Sequence, residues 1–306
     1  MNSIKVKSPA TLSNLCCGFD ILGMALKDPF DIIELISKEE PGISIKHIDG
    51  YGLPSDPKEN IAGVALQAMI DSLHYTKGFD IIIEKNIKPG SGIGSSAASA
   101  AGIVVAANEL LNRPFTKQQL VSFAMEGELL ASGSRHADNL APCIYGGLVL
   151  IRDTQTLDII EIKTPPLFIT IIHPQIEIKT SFARSILPKD IPLKSAVIQW
   201  ANVAGLISGF LCSDYQLIGR SLQDVIVEPV RSKLIPGFDE VKKKSLEIGA
   251  LGGGISGSGP SLFMLSETLS VAEQVESEMK SIYNNLGIDY KTYLTDVGQN
   301  GVEVIY

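Results

Sequence analysis

Apolar and polar positions alternate along three stretches near the amino terminus, which predicts β-strands there. These stretches are residues 4–7, 31–36 and 42–47. Pro41 and Gly42 separate the second from the third, so we expect those two strands to form a hairpin. After the first strand, residues 8–20 are expected to form a polar loop.

The apolar period then changes from two residues to that of a helix. Asn60 precedes this segment and is a suitable N-cap, because its side-chain oxygen can accept a bond from a first-turn amide. The residues that share one helical face are Ile61, Val64, Ala65, Ala68 and Met69. Residues 79–87 return to strand composition, and a glycine-rich loop and an alanine-rich helix to about residue 111 follow. The order strand, glycine loop, helix is typical of phosphate-binding sites.

Further along, Thr116 and Gln119 have the spacing of a capping box and open another helix. Pro165 and Pro166 interrupt a strand, and an apolar strand starts directly after them, so we place a domain boundary there. This divides the chain into a nucleotide-binding domain, residues 1–164, and a second domain, residues 165–306. The apolar run over residues 196–211 is expected to be a buried core helix. Helices and strands mix without regular βαβ alternation, which favours an α+β fold.

Charge and cysteine usage restrict the partners. The 306 residues include 34 acidic and 26 basic side chains, a net charge of −8, which argues against binding nucleic acid or an anionic membrane surface. The four cysteines show no disulfide or metal spacing, and the first residues lack an apolar signal sequence. We therefore expect a cytoplasmic protein with a small-molecule partner.

The glycine loop over residues 88–99 carries the clearest chemical signal. Its glycines at 90, 92 and 94 permit positive φ and a close backbone approach to a ligand, and the following helix start offers unpaired N–H groups. Ser95 and Ser96 lie on the first turn, where one hydroxyl could cap the helix and the other could reach a phosphate or its Mg²⁺.

Three common alternatives fit the glycine loop poorly. A Walker A loop requires Gly-Lys-Ser/Thr, but Gly94 is followed by two serines. A dinucleotide fingerprint requires different glycine spacing and an acidic residue after the next strand, whereas Glu109 lies in the same helix. A second glycine-rich loop occupies residues 252–260. A Gly-x-Ser-x-Gly nucleophile elbow is absent from both loops.

The motifs resemble those of the GHMP small-molecule kinases along essentially the whole chain. Residues 89–99 resemble the family's Pro-x-x-x-Gly-Leu-Gly-Ser-Ser-Ala nucleotide motif, with Ile93 in place of the usual leucine. Residues 256–261 resemble its carboxy-terminal glycine motif. Residues 9–20 are similar to the opening of the members that act on homoserine, although Cys16 and Cys17 depart from it, and residues 136–147 also resemble that group.

The resemblance implies a two-domain fold, with an amino-terminal mixed sheet with helices and a ferredoxin-like carboxy-terminal domain, commonly assembled as a homodimer. It implies transfer of a phosphoryl group from ATP, with Mg²⁺, to the side-chain hydroxyl of L-homoserine, a step of threonine biosynthesis. The chemistry requires in-line positioning and neutralisation of the developing charge.

Residue roles follow from the same resemblance. The nucleotide would contact Asn60, Lys88, Pro89, Gly90, Ser91, Gly92, Ile93, Gly94, Ser95, Ser96, Ala97, Ala98 and Ser99. Mg²⁺ would be held by Ser96, or its neighbour Ser95, and by Glu128. Homoserine would contact Asn14, Asp20, His136, Asn139, Thr180, Arg184 and Arg231. In this scheme the arginines bind the carboxylate, Asn14 and Asp20 bind the ammonium group, and His136 and Asn139 lie near the reacting hydroxyl and are the catalytic candidates.

Each of these residues also has a purely structural explanation: a helix cap, an Asx turn, a loop hydrogen bond or a solvated surface charge. Asp138 could serve as a base, but we favour a mechanism that relies on positioning. Two other functions stay open, namely a kinase of the same fold acting on another alcohol such as mevalonate, and a nucleotide-binding regulator without turnover.

Overall fold

The computed structural model describes residues 2–73, 75–133 and 135–305. Its first sheet has seven strands, in the order β11-β1-β2-β4-β3, with β5 paired to β2 and β6 paired to β5. These strands are β1 (Ser3–Ser13), β2 (Leu22–Lys38), β3 (Gly42–Asp49), β4 (Gly78–Glu84), β5 (Leu148–Asp153), β6 (Asp158–Ile162) and β11 (Glu303–Ile305). The helices of this half are α1 (Ile61–Ser72), α2 (Ser95–Leu110), α3 (Lys117–Ser132) and α4 (Leu140–Tyr145).

The second sheet is antiparallel, in the order β10-β7-β9-β8. Its strands are β7 (Phe168–Pro174), β8 (Gly252–Ile255), β9 (Leu262–Ser266) and β10 (Tyr290–Asp296). The helices of this half are α5 (Thr180–Ser185), α6 (Leu193–Cys212), α7 (Tyr215–Ser221), α8 (Glu228–Arg231), α9 (Phe238–Ile248) and α10 (Leu269–Leu286). The predicted α+β class is confirmed.

Local signals account for the helix starts. Asn60 Oδ1 accepts the Ala62 amide and caps α1, and the capping box of Thr116 and Gln119 opens α3. Helices α1, α2 and α3 pack together against the first sheet around buried residues such as Ile33 and Phe79. A second apolar core contains Leu12 and Ile93 of the first half together with residues of β7 and β9, so it joins the two sheets.

The predicted hairpin between the second and third strands is wrong. Strand β4 lies between β2 and β3, and β3 pairs with β4 in parallel through the crossover helix α1. Alternation indicates that a segment is a strand but not which strand it pairs with, and a parallel partner comes from much later in the chain.

The predicted loop over residues 8–20 is also partly wrong, because β1 continues to Ser13. Its polar residues Ser8 and Thr11 are fully buried with their hydroxyls bonded, Ser8 to Ala98 O at 2.7 Å and Thr11 to Asn139 Oδ1 at 2.8 Å. Polarity therefore marks internal hydrogen bonds here rather than a solvated loop.

The prediction that residues 196–211 form a buried helix is wrong for most of their side chains, which are at least partly exposed. Helix α6 buries only Ala196, Gln199, Leu206, Gly209 and Phe210. Within the described residues, α6 is also the one helix that is long and apolar enough to cross a membrane by length and composition.

The chain passes from the first sheet to the second between β6 and β7. The last strand, β11, returns to the first sheet and pairs with β1.

Candidate active site

A cavity of about 480 Å³ lies where the end of β1, the start of α2, α5, α8 and the second glycine loop meet. Most of the predicted site residues line it: Asn14, Asp20, Pro89, Gly90, Gly92, Gly94, Ser95, Ser96, Ser99, Glu128, His136, Asn139, Thr180, Arg184 and Arg231. The structure thus gathers side chains that are up to 217 positions apart in the sequence, from Asn14 to Arg231, into one cavity.

The glycine loop leads into α2 through a left-handed turn. Gly90, Gly92 and Gly94 have φ of 72°, 84° and 71°. A Cβ at Gly94 would lie 2.0 Å from Thr11 Oγ1, so only glycine fits this position without a shift. Gly94 is the N-cap of α2 and supplies no capping side chain. The first-turn amides at the cavity wall therefore suit an anion.

Two serines of the second half hold the glycine loop in place. Ser256 Oγ donates to Gly92 O at 2.7 Å, and Ser261 Oγ donates to Ser91 O at 2.6 Å. A Cβ at Gly92 would lie 2.6 Å from Gly259 O, so the two glycine loops are in direct backbone contact. The shape of the loop therefore depends on both halves of the molecule.

The two serines at the start of α2 have different partners. Ser95 Oγ donates to Ile87 O at 2.8 Å, whereas Ser96 Oγ donates to Glu128 Oε2 at 2.8 Å. A hydroxyl and a carboxylate beside the helix terminus are hard oxygen donors of the kind that Mg²⁺ prefers, with phosphate oxygens completing its shell. Across the described ranges, no group of three or more His, Cys, Asp or Glu side chains is placed to hold a metal by itself.

Lys85, which the sequence analysis missed, lines the cavity, whereas Lys88 does not. The Lys88 ammonium donates instead to Gln175 Oε1 at 2.6 Å. Lys85 forms a buried ion pair with Asp31 and donates to Ser95 O at 2.7 Å and to Ser99 Oγ at 2.9 Å. Burial lowers the pKa of Lys85, and Asp31 opposes that effect. The sequence signal that could have identified Lys85 is its position directly after the apolar run of β4.

Several other predicted nucleotide contacts lie away from the cavity wall. Both polar atoms of the Asn60 side chain serve the local fold, because Oδ1 accepts Ala62 N at 3.0 Å and Nδ2 donates to Pro54 O at 2.8 Å. The side chains outside the cavity lining are those of Asn60, Lys88, Ser91, Ile93, Ala97 and Ala98. Ile93, Ala97 and Ala98 are fully buried in the core.

The acceptor end of the cavity contains paired charges. Arg184 donates two bonds to the Asp20 carboxylate, at 2.8 and 3.0 Å. Asn14 Oδ1 accepts the Asp20 amide at 3.0 Å, and Asn14 Nδ2 donates to Gly257 O at 3.0 Å. This arrangement fixes Asp20, whose backbone φ is 61°.

Arg231 brings a second guanidinium group to this end. It is 3% exposed and donates to Ala183 O at 3.1 Å and to Gly257 O at 2.9 Å. Burial, followed by the proximity of Arg184, lowers the pKa of Arg231. In the described part of the chain, Arg184 Nε is buried and has no acceptor. Two close cations with a spare buried donor favour a bound carboxylate.

His136, Asp138 and Asn139 lie between the two ends of the cavity. Asn139 is held by Thr11 and by Ser13 Oγ, to which it donates at 3.0 Å. Burial lowers the pKa of His136, which favours its neutral form, and the nearby Asp20 opposes that effect. Burial, with the nearby Asp20 and Glu128, raises the pKa of Asp138 to about 7.

Thr180 lies at the opening of the cavity, at the start of α5. Its hydroxyl is 3.2 Å from Ser258 Oγ of the second glycine loop. Phe19 lies beneath both guanidinium groups, with its ring centre 5.3 Å from Arg184 and 5.1 Å from Arg231. These contacts orient the two arginines toward the cavity.

Comparison with known proteins identifies the family. Residues 60–147 match the GHMP kinases N terminal domain, and residues 206–285 match the GHMP kinases C terminal region. A homoserine kinase from Chlorobaculum tepidum is 45% identical over 320 aligned positions that cover 100% of this chain and 99% of that protein. The crystal structure of homoserine kinase from Cytophaga hutchinsonii is 47% identical, with a TM-score of 0.96 and coverage of 100% of this chain and 98% of the other.

A more distant solved structure shares the fold alone. L. major mevalonate kinase in complex with R-mevalonate is 16% identical, with a TM-score of 0.75 and 96% coverage of both chains. The resemblance drawn from the motifs is thus confirmed over the full length. The chain belongs to the GHMP kinase family and, within it, to the homoserine kinases.

Proposed function

We propose that the protein transfers the γ-phosphoryl group of ATP to the side-chain hydroxyl of L-homoserine, forming O-phospho-L-homoserine, a step of threonine biosynthesis. The observation that carries this proposal is the cavity itself. It joins an uncapped helix terminus, suited to phosphate, to a pocket with two guanidinium groups and the Asp20 carboxylate, suited to an amino acid.

The phosphate end holds the triphosphate through backbone amides and short side chains. The amides at the start of α2 and the loop containing Gly90, Gly92 and Gly94 would contact the phosphate oxygens. Ser96 and Glu128 would hold Mg²⁺, which supplies neutralisation of phosphate charge when it is bound. Lys85 stabilises the first turn of α2 by donating to Ser95 O and does not take the role of the phosphate-binding lysine of a Walker A loop.

The acceptor end orients the zwitterion. Arg231, with the spare Nε of Arg184, would bind the carboxylate, while Asp20 and Asn14 Oδ1 would take the ammonium group. This leaves the hydroxyl of the substrate near Asn139 and His136. In-line placement of that oxygen is the main requirement of a loose phosphoryl-transfer transition state.

Proton removal need not involve a strong base. Asp138 is buried and hydrogen-bonded to Ser13, which restrains it. A loose transition state makes little demand on early deprotonation, so we propose that Asp138 positions the site and that the hydroxyl proton leaves late in the transfer.

A panel of alcohols in an ATP-consumption assay with Mg²⁺ tests the proposal. We expect turnover with L-homoserine to exceed that with mevalonate by at least about a hundredfold, because mevalonate lacks the ammonium group that Asp20 would bind. Preferential phosphorylation of mevalonate would assign the other kinase activity. ATP binding by a folded preparation without transfer to any alcohol would assign a regulator.

We also propose that the chain forms a homodimer and acts in the cytoplasm. The broad apolar surface left on α6 supports self-association. The free cysteines Cys16, Cys17, Cys143 and Cys212 fit a reducing compartment. We further propose a nucleotide-binding unit over residues 1–164 and a second unit over residues 165–306, with β11 added to the first sheet.

A further inference from the structure

Helix α6 carries an apolar surface that the described part of the chain leaves uncovered. Val197, Trp200 and Leu211 are 52%, 62% and 60% exposed. Residues 195–212 contain no charged side chain. A run of exposed large apolar groups on one uncharged helix face is typical of an interface.

Six exposed residues of α6 lie along one face of the helix and form what we call the α6 stripe: Val197, Trp200, Ala201, Ala204, Ser208 and Leu211. Their spacing of three, four and seven residues keeps them on one side of the helix. The exposed Leu193 lies on the same face at the start of the helix, and Ile198 and Cys212 are exposed beside it. Small residues occupy the middle of the stripe and larger ones lie toward its ends. Small residues allow two helix backbones to approach closely.

The stripe is self-complementary about Ala204. When two copies cross antiparallel with Ala204 on the two-fold axis, the residue n positions after Ala204 faces the residue n positions before it in the other copy. Leu211 then faces Val197, and the large Trp200 faces the small Ser208. Large groups therefore meet smaller ones on both sides of the axis.

We infer that the α6 stripe is the contact between the two copies of the homodimer proposed above, crossing at Ala204. Charge favours a second copy over a membrane surface as the occupant. Each copy carries a net charge of −8 and would be repelled by anionic lipid, and Lys194 is the one basic side chain of the helix. An uncharged face is also where two like-charged copies can approach with least repulsion.

The buried side of α6 connects this contact to the acceptor pocket. Gln199 Nε2 donates to Cys17 O at 2.9 Å and to Asp224 Oδ1 at 3.1 Å. Asp224 in turn accepts the amides of Val227 and Glu228, where α8, the helix that carries Arg231, begins. Fixing α6 in a dimer therefore also fixes Arg231.

The test is sedimentation velocity with matched variants. We expect the wild type to sediment with twice the 32.8 kDa chain mass and Ala204→Glu to sediment as a monomer, because it places two carboxylates on the axis. Leu269→Glu, at the exposed first residue of α10, is the control and should remain a dimer. A monomeric wild type would overturn the homodimer, and a dimeric Ala204→Glu would overturn this contact while leaving the homodimer in place.

Cross-linking tests the crossing point. Cys212 is exposed, so the background is Cys212→Ser. In that background Ala204→Cys should form a disulfide with its partner copy upon mild oxidation. Leu211→Cys should not, since two copies of residue 211 would lie roughly 20 Å apart, well beyond disulfide reach. The reverse pattern would overturn the crossing at Ala204.

Kinetics and lipid binding complete the test. Monomeric Ala204→Glu should show a KM for homoserine raised at least about threefold with an unchanged KM for ATP; an unchanged KM for both would overturn the connection to Arg231. Cosedimentation of the wild type with phosphatidylglycerol vesicles would overturn the choice of occupant. Kinase turnover by the monomeric variant is measured separately, so a failed interface is distinguishable from a failed assignment of activity.

Discussion

Arg231 is the residue whose surroundings point most directly to an anionic substrate group. Its guanidinium is buried and donates to two neutral carbonyl oxygens, whereas Arg184 is already paired with Asp20. Each charge-assisted hydrogen bond from a buried guanidinium to a charged ligand group contributes about 1.5–3 kcal/mol, so losing one of them weakens binding by that amount.

We therefore expect Arg231→Lys to raise KM for homoserine by roughly 10–100-fold, because an ammonium group cannot reproduce the bidentate geometry. KM for ATP should stay within about twofold, as measured by initial rates with either substrate varied. Arg220→Lys, at an exposed position of α7, is the matched control. An unchanged KM for homoserine together with a raised KM for ATP would refute the carboxylate role.

Replacing Asp138 distinguishes a positioning role from base catalysis. Asp138→Asn keeps the size of the side chain and its capacity to bond Ser13 but cannot accept a proton. Loss of a general base lowers the rate by roughly 10²–10⁴-fold. Because we propose that Asp138 only positions the site, we expect kcat to fall by less than about tenfold. A loss of more than about a hundredfold with both KM values unchanged would show that Asp138 is the base.

The same side chain makes stability depend on pH. The pKa of Asp138 is raised to about 7 from its ordinary value of 3.8. The folded state therefore binds the extra proton between these values, and stability falls as pH rises through about 7. Asparagine does not ionise, so the variant escapes this loss. We therefore expect the melting temperature of Asp138→Asn minus that of the wild type to be several degrees higher at pH 8 than at pH 5. A difference that is constant with pH would contradict the raised pKa.

At the scale of elements, local signals were sufficient for helix starts and for the glycine loop. The caps at Asn60 and Thr116 and the positive φ at Gly94 involve neighbours within a few residues, so the sequence contains all the partners. The order of the strands and the role of Lys85 depend on partners far away in the chain. Asp31 lies 54 positions from Lys85, and no local pattern identifies that pair.

Lys85 and Asp31 together form the support of α2. Besides Lys85, Asp31 accepts the amides of Asn86 and Ile87, and Lys85 bonds the first turn of α2. Lys85→Met should leave the Asp31 charge buried without its partner. We expect a loss of about 3–5 kcal/mol in the free energy of unfolding by denaturant and a raised KM for ATP.

The double variant Lys85→Met with Asp31→Asn provides the control for this pair. Because it removes both charges, it should recover part of the lost stability while KM for ATP stays raised. If the single variant lost less than about 1 kcal/mol, the pair would not support α2.

At the scale of the whole molecule, the two halves depend on one another at the site. The nucleotide loop belongs to the first half, but its carbonyl oxygens at Ser91 and Gly92 are bonded by Ser261 and Ser256 of the second. The core that contains Leu12 and Phe263 also continues from one sheet to the other. Motif spacing identified both glycine loops, yet their direct contact depends on the tertiary fold.

This arrangement predicts that the chain unfolds as one unit and that ligands stabilise both halves together. By calorimetry we expect a single transition in the absence of ligand, which moves upward with a non-hydrolysable ATP analogue and Mg²⁺ and further with homoserine. Binding at a hundred times Kd adds about 2.7 kcal/mol. Because Ser256 and Ser261 transmit loop ordering to the second sheet, two transitions of which the analogue moves only one would contradict this coupling.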